Sequence, residues 1–208
     1  MSRLSLEQGS RLVRLARRAV ESYLGKGEAA GGREDEVMRE KRGVFVTIRT
    51  YPTEELRGCI GFPLPILPLH EATVKAALSA ALNDPRFRPV EKDELDSLTF
   101  EVSVLTVPEE VKYEKPTELP KLIKVGEDGL IIETRYGSGL LLPQVPVEEG
   151  WDAEDFLTHL CLKAGLPPTY WLEAKPKILR FSAQVFKELR PRGDVVEVEL
   201  GSAACGYT

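Results

Sequence analysis

The hydrophobic patterning of this 208-residue sequence predicts an α+β fold in which antiparallel β-sheet is flanked by helices. Three observations carry that prediction. Residues 43–50, GVFVTIRT, and 56–61, LRGCIG, are short apolar runs separated by turn residues 52–55, the pattern of an antiparallel pair. Residues 98–107, LTFEVSVLTV, alternate with the two-residue period of a strand. Several other segments carry apolar residues at helical spacing, and helices and strands follow one another in mixed order.

Taken from the N-terminus, Ser5 and Gln8 form a capping-box pattern. Leu12, Leu15, Ala16, Ala19, Val20 and Tyr23 follow at helical spacing until Gly25. The arginines of this helix, Arg11, Arg14, Arg17 and Arg18, read either as a solvated face or as a basic contact surface. Residues 25–32 have no periodicity that buries anything and read as a loop. After the hairpin and the proline-rich FPLPILP, residues 69–82 predict a helix whose Ala72, Ala76, Ala77 and Ala80 make a face for close packing, with Asn83 ending it. In NDPRF, Asp84 and Arg86 lie in an ordered connection, where an ion pair between them would shape the turn. Residues 121–135 read as a hairpin of KLIKVG and LIIETR about the turn EDG, followed by a flexible YGSG and an apolar GLLLPQV. Gln144, at the end of that run, either satisfies a strand edge or contacts a ligand. A helix from about Asp152 to Ala164 carries Phe156, Leu157, Leu160 and Cys161 on one stripe, which makes Cys161 a core residue. KILRFSAQVFKEL alternates as one strand, VVEVEL adds an edge strand, and Cys205 lies in a small, polar tail.

Composition narrows the functional classes. Lys and Arg number 28 against 33 Asp and Glu, a net charge of −5, so the general attraction for a phosphate backbone is missing and nucleic acid is not expected as a partner. No run of apolar residues is long enough to cross a membrane and no secretory leader precedes the first helix, so a soluble cytoplasmic protein is expected. The three cysteines, Cys59, Cys161 and Cys205, are too few and too scattered for a disulfide framework. A single asparagine, three glutamines and 29% charged residues fit a protein kept at high temperature. The length suits one core, or two small subdomains.

Chemistry concentrates in LRGCIG. Regular alternation puts Arg57 and Cys59 on one face, so a guanidinium is expected beside the sulfur. An unperturbed thiol is only about 3% thiolate at pH 7, and a one-unit drop in its pKa raises that to roughly a quarter. Gly58 and Gly61 leave room for a ligand or another backbone to approach. The same residues also suit a buried structural cysteine in a tightly packed strand. Glu101 interrupts an apolar strand and calls for a partner, an arginine of the neighbouring strand being the natural one. Metal binding and nucleotide hydrolysis find little support. His159 and Cys161 diverge by about 200 degrees on a helix, no Cys-x-x-Cys exists, and no phosphate-cradling glycine loop is present, so no metal and no cofactor are expected. A Cys-His pair would have to draw on His70 or His159, neither of which flanks the thiol.

The succession LRGCIGF, NDPRF, FEVSVL, GLLLPQV and WDAEDFL, spread over residues 43–186, resembles the AMMECR family, named after an Alport-syndrome chromosomal region, and its archaeal members in particular. The resemblance implies an α+β fold divided into a larger and a smaller subdomain within one AMMECR-type unit over residues 1–208. It brings no established reaction. It implies a pathway shared with Memo-like and radical-SAM proteins, either of which is then a candidate partner. The motif residues it carries over are Arg57, Gly58, Cys59 and Gly61, with Asp84, Pro85, Arg86, Glu101 and Gln144. Two hypotheses follow. In one, these residues line a cleft where Arg57 polarises Cys59, Glu101 assists, and Gly58, Gly61, Asp84, Arg86 and Gln144 bind an unknown small molecule or a modified residue. In the other, LRGCIG is purely structural and the protein is a non-catalytic adaptor that docks a Memo-like enzyme.

Overall fold

The computed structural model describes residues 3–25 and 36–198. Most of the expected loop at 25–32 and all of the tail with Cys205 lie outside the described residues. In chain order the elements begin with helix α1 (Leu6–Tyr23), the short α2 (Glu36–Arg39), strands β1 (Val44–Thr50) and β2 (Leu56–Phe62), helix α3 (Leu69–Leu82) and strand β3 (Leu98–Leu105). They continue with β4 (Glu109–Glu110), α4 (Leu119–Leu122), β5 (Gly129–Glu133), β6 (Ser138–Leu141), α5 (Gln144–Glu149) and α6 (Ala153–Lys163). The last are α7 (Tyr170–Glu173), β7 (Lys177–Phe181), β8 (Ala183–Glu188) and β9 (Val195–Val198). The fold is α+β, with antiparallel strand pairing and helices packed on sheet.

The chain divides into two compact units. The larger joins residues up to Val107 with Gln184–Val198 and contains a five-stranded sheet of order β2-β1-β3-β8-β9. Its core forms where Val44, Val46 and Ile48 of β1 and Phe100, Val102 and Val104 of β3 meet the apolar faces of α1 and α3. Helix α1 begins as its sequence signals: the Ser5 hydroxyl accepts from Gln8 N, and the Gln8 side chain accepts from Ser5 N. Gly9 allows this helix onto β8, because a Cβ there would stand 2.2 Å from the Phe186 ring. The small face of α3, with Ala72, Ala76, Ala77 and Ala80 fully buried, brings its backbone against the sheet.

The smaller unit, Pro108–Ala183, holds a four-stranded sheet of order β4-β7-β5-β6. Its core is built from Leu130, Ile132 and Ile178 with Phe156, Leu157, Leu160 and Cys161 of α6, so Cys161 is the core residue its helical spacing predicts. Asp152 caps α6 by accepting from Glu154 N and Asp155 N.

Three sequence expectations change here. KLIKVG is not a strand: Leu122 ends α4, and β5 pairs instead with β6 and β7. YGSG is not a flexible link. Thr134 ties the turn by accepting from Tyr136 N and Gly137 N, and Gly137 and Gly139 leave the room that the end of α6 occupies, a Cβ on Gly137 lying 2.3 Å from Ala164 O. KILRFSAQVFKEL is two strands, β7 and β8, which break at Ser182 and belong to different sheets.

Candidate functional site

The site is organised by strand register. Thr47 of β1 is directly opposite Cys59 of β2 on one side and Glu101 of β3 on the other. Directly opposed residues project to the same face, so the three form a row across the sheet, on the face turned away from α1 and α3. The Thr47 hydroxyl donates to Cys59 Sγ at 3.4 Å. Cys59 is half-buried, whereas Thr47 is buried.

β2 is an edge strand, and the connection after α3 caps it with side chains. Cys59 N donates to Asp84 Oδ2 at 2.9 Å, and Cys59 O accepts from the Arg86 guanidinium at 3.2 Å. The two residues imitate a neighbouring strand at one position and close an edge that would otherwise invite pairing. They are themselves joined, Arg86 Nε reaching Asp84 Oδ1 at 3.0 Å and the guanidinium reaching Oδ2 at 2.8 Å. The ion pair expected from NDPRF is present, and it holds LRGCIG as well as its own turn.

Arg57 corrects the main sequence expectation. Along β1, Ile48 pairs with Gly58 and the next residue, Arg49, pairs with Leu56, so Arg57 is the extra residue of a β-bulge. A bulge breaks alternation, and the residue it inserts no longer shares a face with the residue two along. Arg57 turns to the 88–94 connection: it grips Glu94 at 3.0 and 3.1 Å and donates to the carbonyls of Arg88 and Pro89. It is a brace between β2 and that connection. The cation that acts on the thiol is Arg86.

Burial is the main influence on Cys59 and pushes its thiol above the ordinary 9.0. The Thr47 hydroxyl and Arg86 pull down, while Glu101 and Asp84 push further up. The sulfur therefore rests as a neutral thiol at pH 7, the reverse of the acidified thiol expected beside Arg57. Asp84 is displaced the other way, to about 2 from 3.8, chiefly by the Arg86 side chain, with backbone N–H groups of Cys59 and Arg86 adding to it against the cost of burial.

The glycines serve packing. A Cβ on Gly58 would lie 2.1 Å from Ala80 O, so α3 rests directly on this strand. Gly61 receives the Phe45 ring, which a Cβ would meet at 2.4 Å. Gln144 belongs to the smaller unit, where it opens helix α5 rather than ending a strand, and its Oε1 is buried with no hydrogen-bond partner among the described residues. Cys59, Glu101, Asp84 and Arg86 are thus gathered in the larger unit, and Arg57 is drawn to its edge. Sequence reasoning missed Thr47 and Glu94. Thr47 was out of reach of simple counting, since regular pairing outward from Arg49 and Leu56 would put it opposite Gly58, and only the bulge at Arg57 brings Cys59 there.

Both histidines of the described chain are engaged elsewhere. His159 stacks on Trp151 at 3.7 Å, with Nδ1 bonded to Asp155 O, and His70 Nδ1 donates to Met38 O. Among the described residues no three His, Cys, Asp or Glu side chains are grouped to hold a metal ion, and no helix is long and apolar enough to cross a membrane.

Asp84 gives the larger unit a pH dependence. Its folded pKa lies below its unfolded one, so its contribution is complete above about 4 and is lost as the pH falls through about 2. That contribution is on the order of 2 kcal/mol. Urea unfolding of Asp84→Ala followed by far-ultraviolet circular dichroism should show this loss at pH 7, and the difference from the unaltered chain should shrink steeply as the pH falls toward 2.

A two-unit α+β protein whose signature strand presents a half-buried thiol is the class defined by this fold and site. The model of the AMMECR1 family matches residues 13–186, and the chain belongs to that family. It is 56% identical to protein MJ0810 of Methanocaldococcus jannaschii over 200 residues, spanning 96% of this chain and 100% of that one. Protein TK0174 of Thermococcus kodakarensis is 57% identical over 200 residues, 94% of this chain and 97% of that one. The crystal structure of the uncharacterized protein PH0010 from Pyrococcus horikoshii superposes with a TM-score of 0.86 at 54% identity, covering 93% of this chain and 98% of that one.

Proposed function

We propose that this chain is a cytoplasmic enzyme that works through Cys59 on a small substrate or on a modified residue of a partner protein. The observation that supports this reading is the company of the sulfur. Cys161 fills an apolar core, whereas Cys59 has a hydroxyl on its sulfur and a guanidinium and a carboxylate close enough to act on its charge. A cysteine that only fills space needs none of these.

In this reading Cys59 waits as a neutral thiol. When an electrophilic carbon of the substrate reaches Sγ, the sulfur electron pair forms the S–C bond and the S–H proton passes to the Glu101 carboxylate, directly or through the Thr47 hydroxyl between them. The electron pair displaced from carbon goes to the substrate heteroatom, where Arg86 offsets the new charge. The partner implied by the family resemblance, a Memo-like or radical-SAM protein, enters as supplier or acceptor of that substrate. A second reading, the adaptor that docks such a partner, is favoured by one observation: Arg57, Gly58 and Gly61 are each accounted for by packing or bracing.

The two readings separate on how Cys59 is labelled. Iodoacetamide should modify Cys59 no faster than free cysteine at pH 7 and increasingly fast above pH 9, since burial raises its pKa. Glu101→Gln removes a charge that opposes the thiolate, so it should speed this reaction. Acyl and Michael-acceptor fragments read out by mass spectrometry should include some that label Cys59 with saturation, and Glu101→Gln should slow those by about tenfold or more. Labelling that never saturates and follows the thiolate fraction alone would retire the enzyme in favour of the adaptor.

A further inference from the structure

Away from Cys59, the larger unit contains a concave site, of about 420 Å³, between α1 and the turn that joins β8 to β9. Its floor is the buried pair of Arg17 and Glu188, and its wall carries Arg11, Arg14 and Arg18 of α1 opposite Arg192 of the turn. Residues 11, 14 and 18 are three and four apart, so they form one stripe on the helix.

The charges do not balance. Glu188 answers Arg17, Glu21 and Asp96 answer Arg192, and Glu7 answers Arg11 at the rim. Arg14 and Arg18 have no ion-pair partner among the described residues, although they share a face with a third arginine. Like charges at this spacing oppose one another, and a bound oxyanion removes the conflict. Arg192 has a left-handed backbone, φ 57°, and is held at both ends of its guanidinium by Glu21 and Asp96, so the wall facing α1 is fixed in place before any ligand arrives. Guanidinium groups pair with phosphate oxygens two at a time, and the volume is that of a small-molecule site.

We propose that this pocket binds a small molecule carrying a phosphate or diphosphate group, with Arg14 and Arg18 as its principal contacts and Arg11 and Arg192 completing the ring. The overall charge of −5 speaks against a nucleic-acid strand as the occupant and in favour of a compact anion that a local patch can hold.

The test is titration calorimetry of the full chain with inorganic pyrophosphate and with ADP at about 50 and 150 mM salt. Saturable binding at one site is expected, weaker at the higher salt. Arg14→Glu and Arg18→Glu should each weaken it by at least about tenfold. Lys75→Glu changes the net charge equally on an exposed face of α3, and should leave binding within about twofold. Circular dichroism of each variant should match the unaltered chain, since Arg14 and Arg18 are exposed. Absence of saturable binding by both probes, or equal weakening by Lys75→Glu, overturns the proposal. So does a single-stranded RNA oligonucleotide that binds more tightly than either probe and depends on Arg14 and Arg18.

Discussion

Glu188→Ala should destabilise the larger unit by about 3–5 kcal/mol, and by more than Arg17→Ala, although the two residues form one ion pair. Both side chains are buried, Arg17 4% and Glu188 2% exposed. Glu188 accepts from Arg17 through both carboxylate oxygens and also from Phe100 N at 3.1 Å. Removing the carboxylate leaves a buried guanidinium and a buried backbone N–H short of a partner. A guanidinium cannot lose its proton to escape the cost. Glu21 at 3.4 Å and the carbonyls of Leu95 and Leu98 keep the damage finite. Removing Arg17 instead leaves the Glu188 carboxylate still accepting from Phe100 N, so fewer buried groups lose their partner. Arg17→Met combined with Glu188→Leu should recover most of the loss, because breaking a buried pair costs more than replacing it with apolar bulk. Circular dichroism in urea orders the variants, and hydrogen exchange in β3 and β8 localises the effect. Tryptophan emission is the wrong probe, since Trp151 and Trp171 both lie in the smaller unit.

Arg17 also shows where sequence reading stops. Its helix was legible because the capping box, the apolar stripe and Gly25 are all local signals. Whether an arginine of that helix faces water or a carboxylate depended on Glu188, 171 residues away. The hairpin, α3, α6 and the edge strand β9 were legible for the same local reasons. KILRFSAQVFKEL was not divided correctly, because alternation continues through Ser182 while the chain passes from one sheet to the other. In the candidate site, Cys59, Asp84, Arg86 and Glu101 were all named from sequence, and Asp84 with Arg86 forms the expected ion pair. The choice of Arg57 as the polarising cation failed at a single bulged residue, since a period-two rule has no term for an insertion.

Gly58→Ala should cost about 3 kcal/mol, at the upper end of what overpacking imposes, and it tests whether the motif glycine serves the fold or a ligand. The added Cβ would stand 2.1 Å from Ala80 O and 3.0 Å from Ala80 C, and these are backbone atoms of α3 that no side-chain rotation can move aside. The helix must therefore shift as a body, against its contacts with α1 and with Val46 and Ile48 of β1. Gly61→Ala should be milder where the Phe45 ring can swing, though Val44 O at 2.4 Å limits the relief. Because α3 leads directly into Asp84, its displacement should also lengthen the bonds from Asp84 to Cys59 N and from Arg86 to Cys59 O. Gly58→Ala is thus expected to lower the urea midpoint and to speed iodoacetamide labelling of Cys59 together, since a loosened edge exposes the sulfur and weakens the burial that holds its pKa up. A variant as stable as the unaltered chain but with altered Cys59 chemistry would show that the space over Gly58 belongs to a ligand.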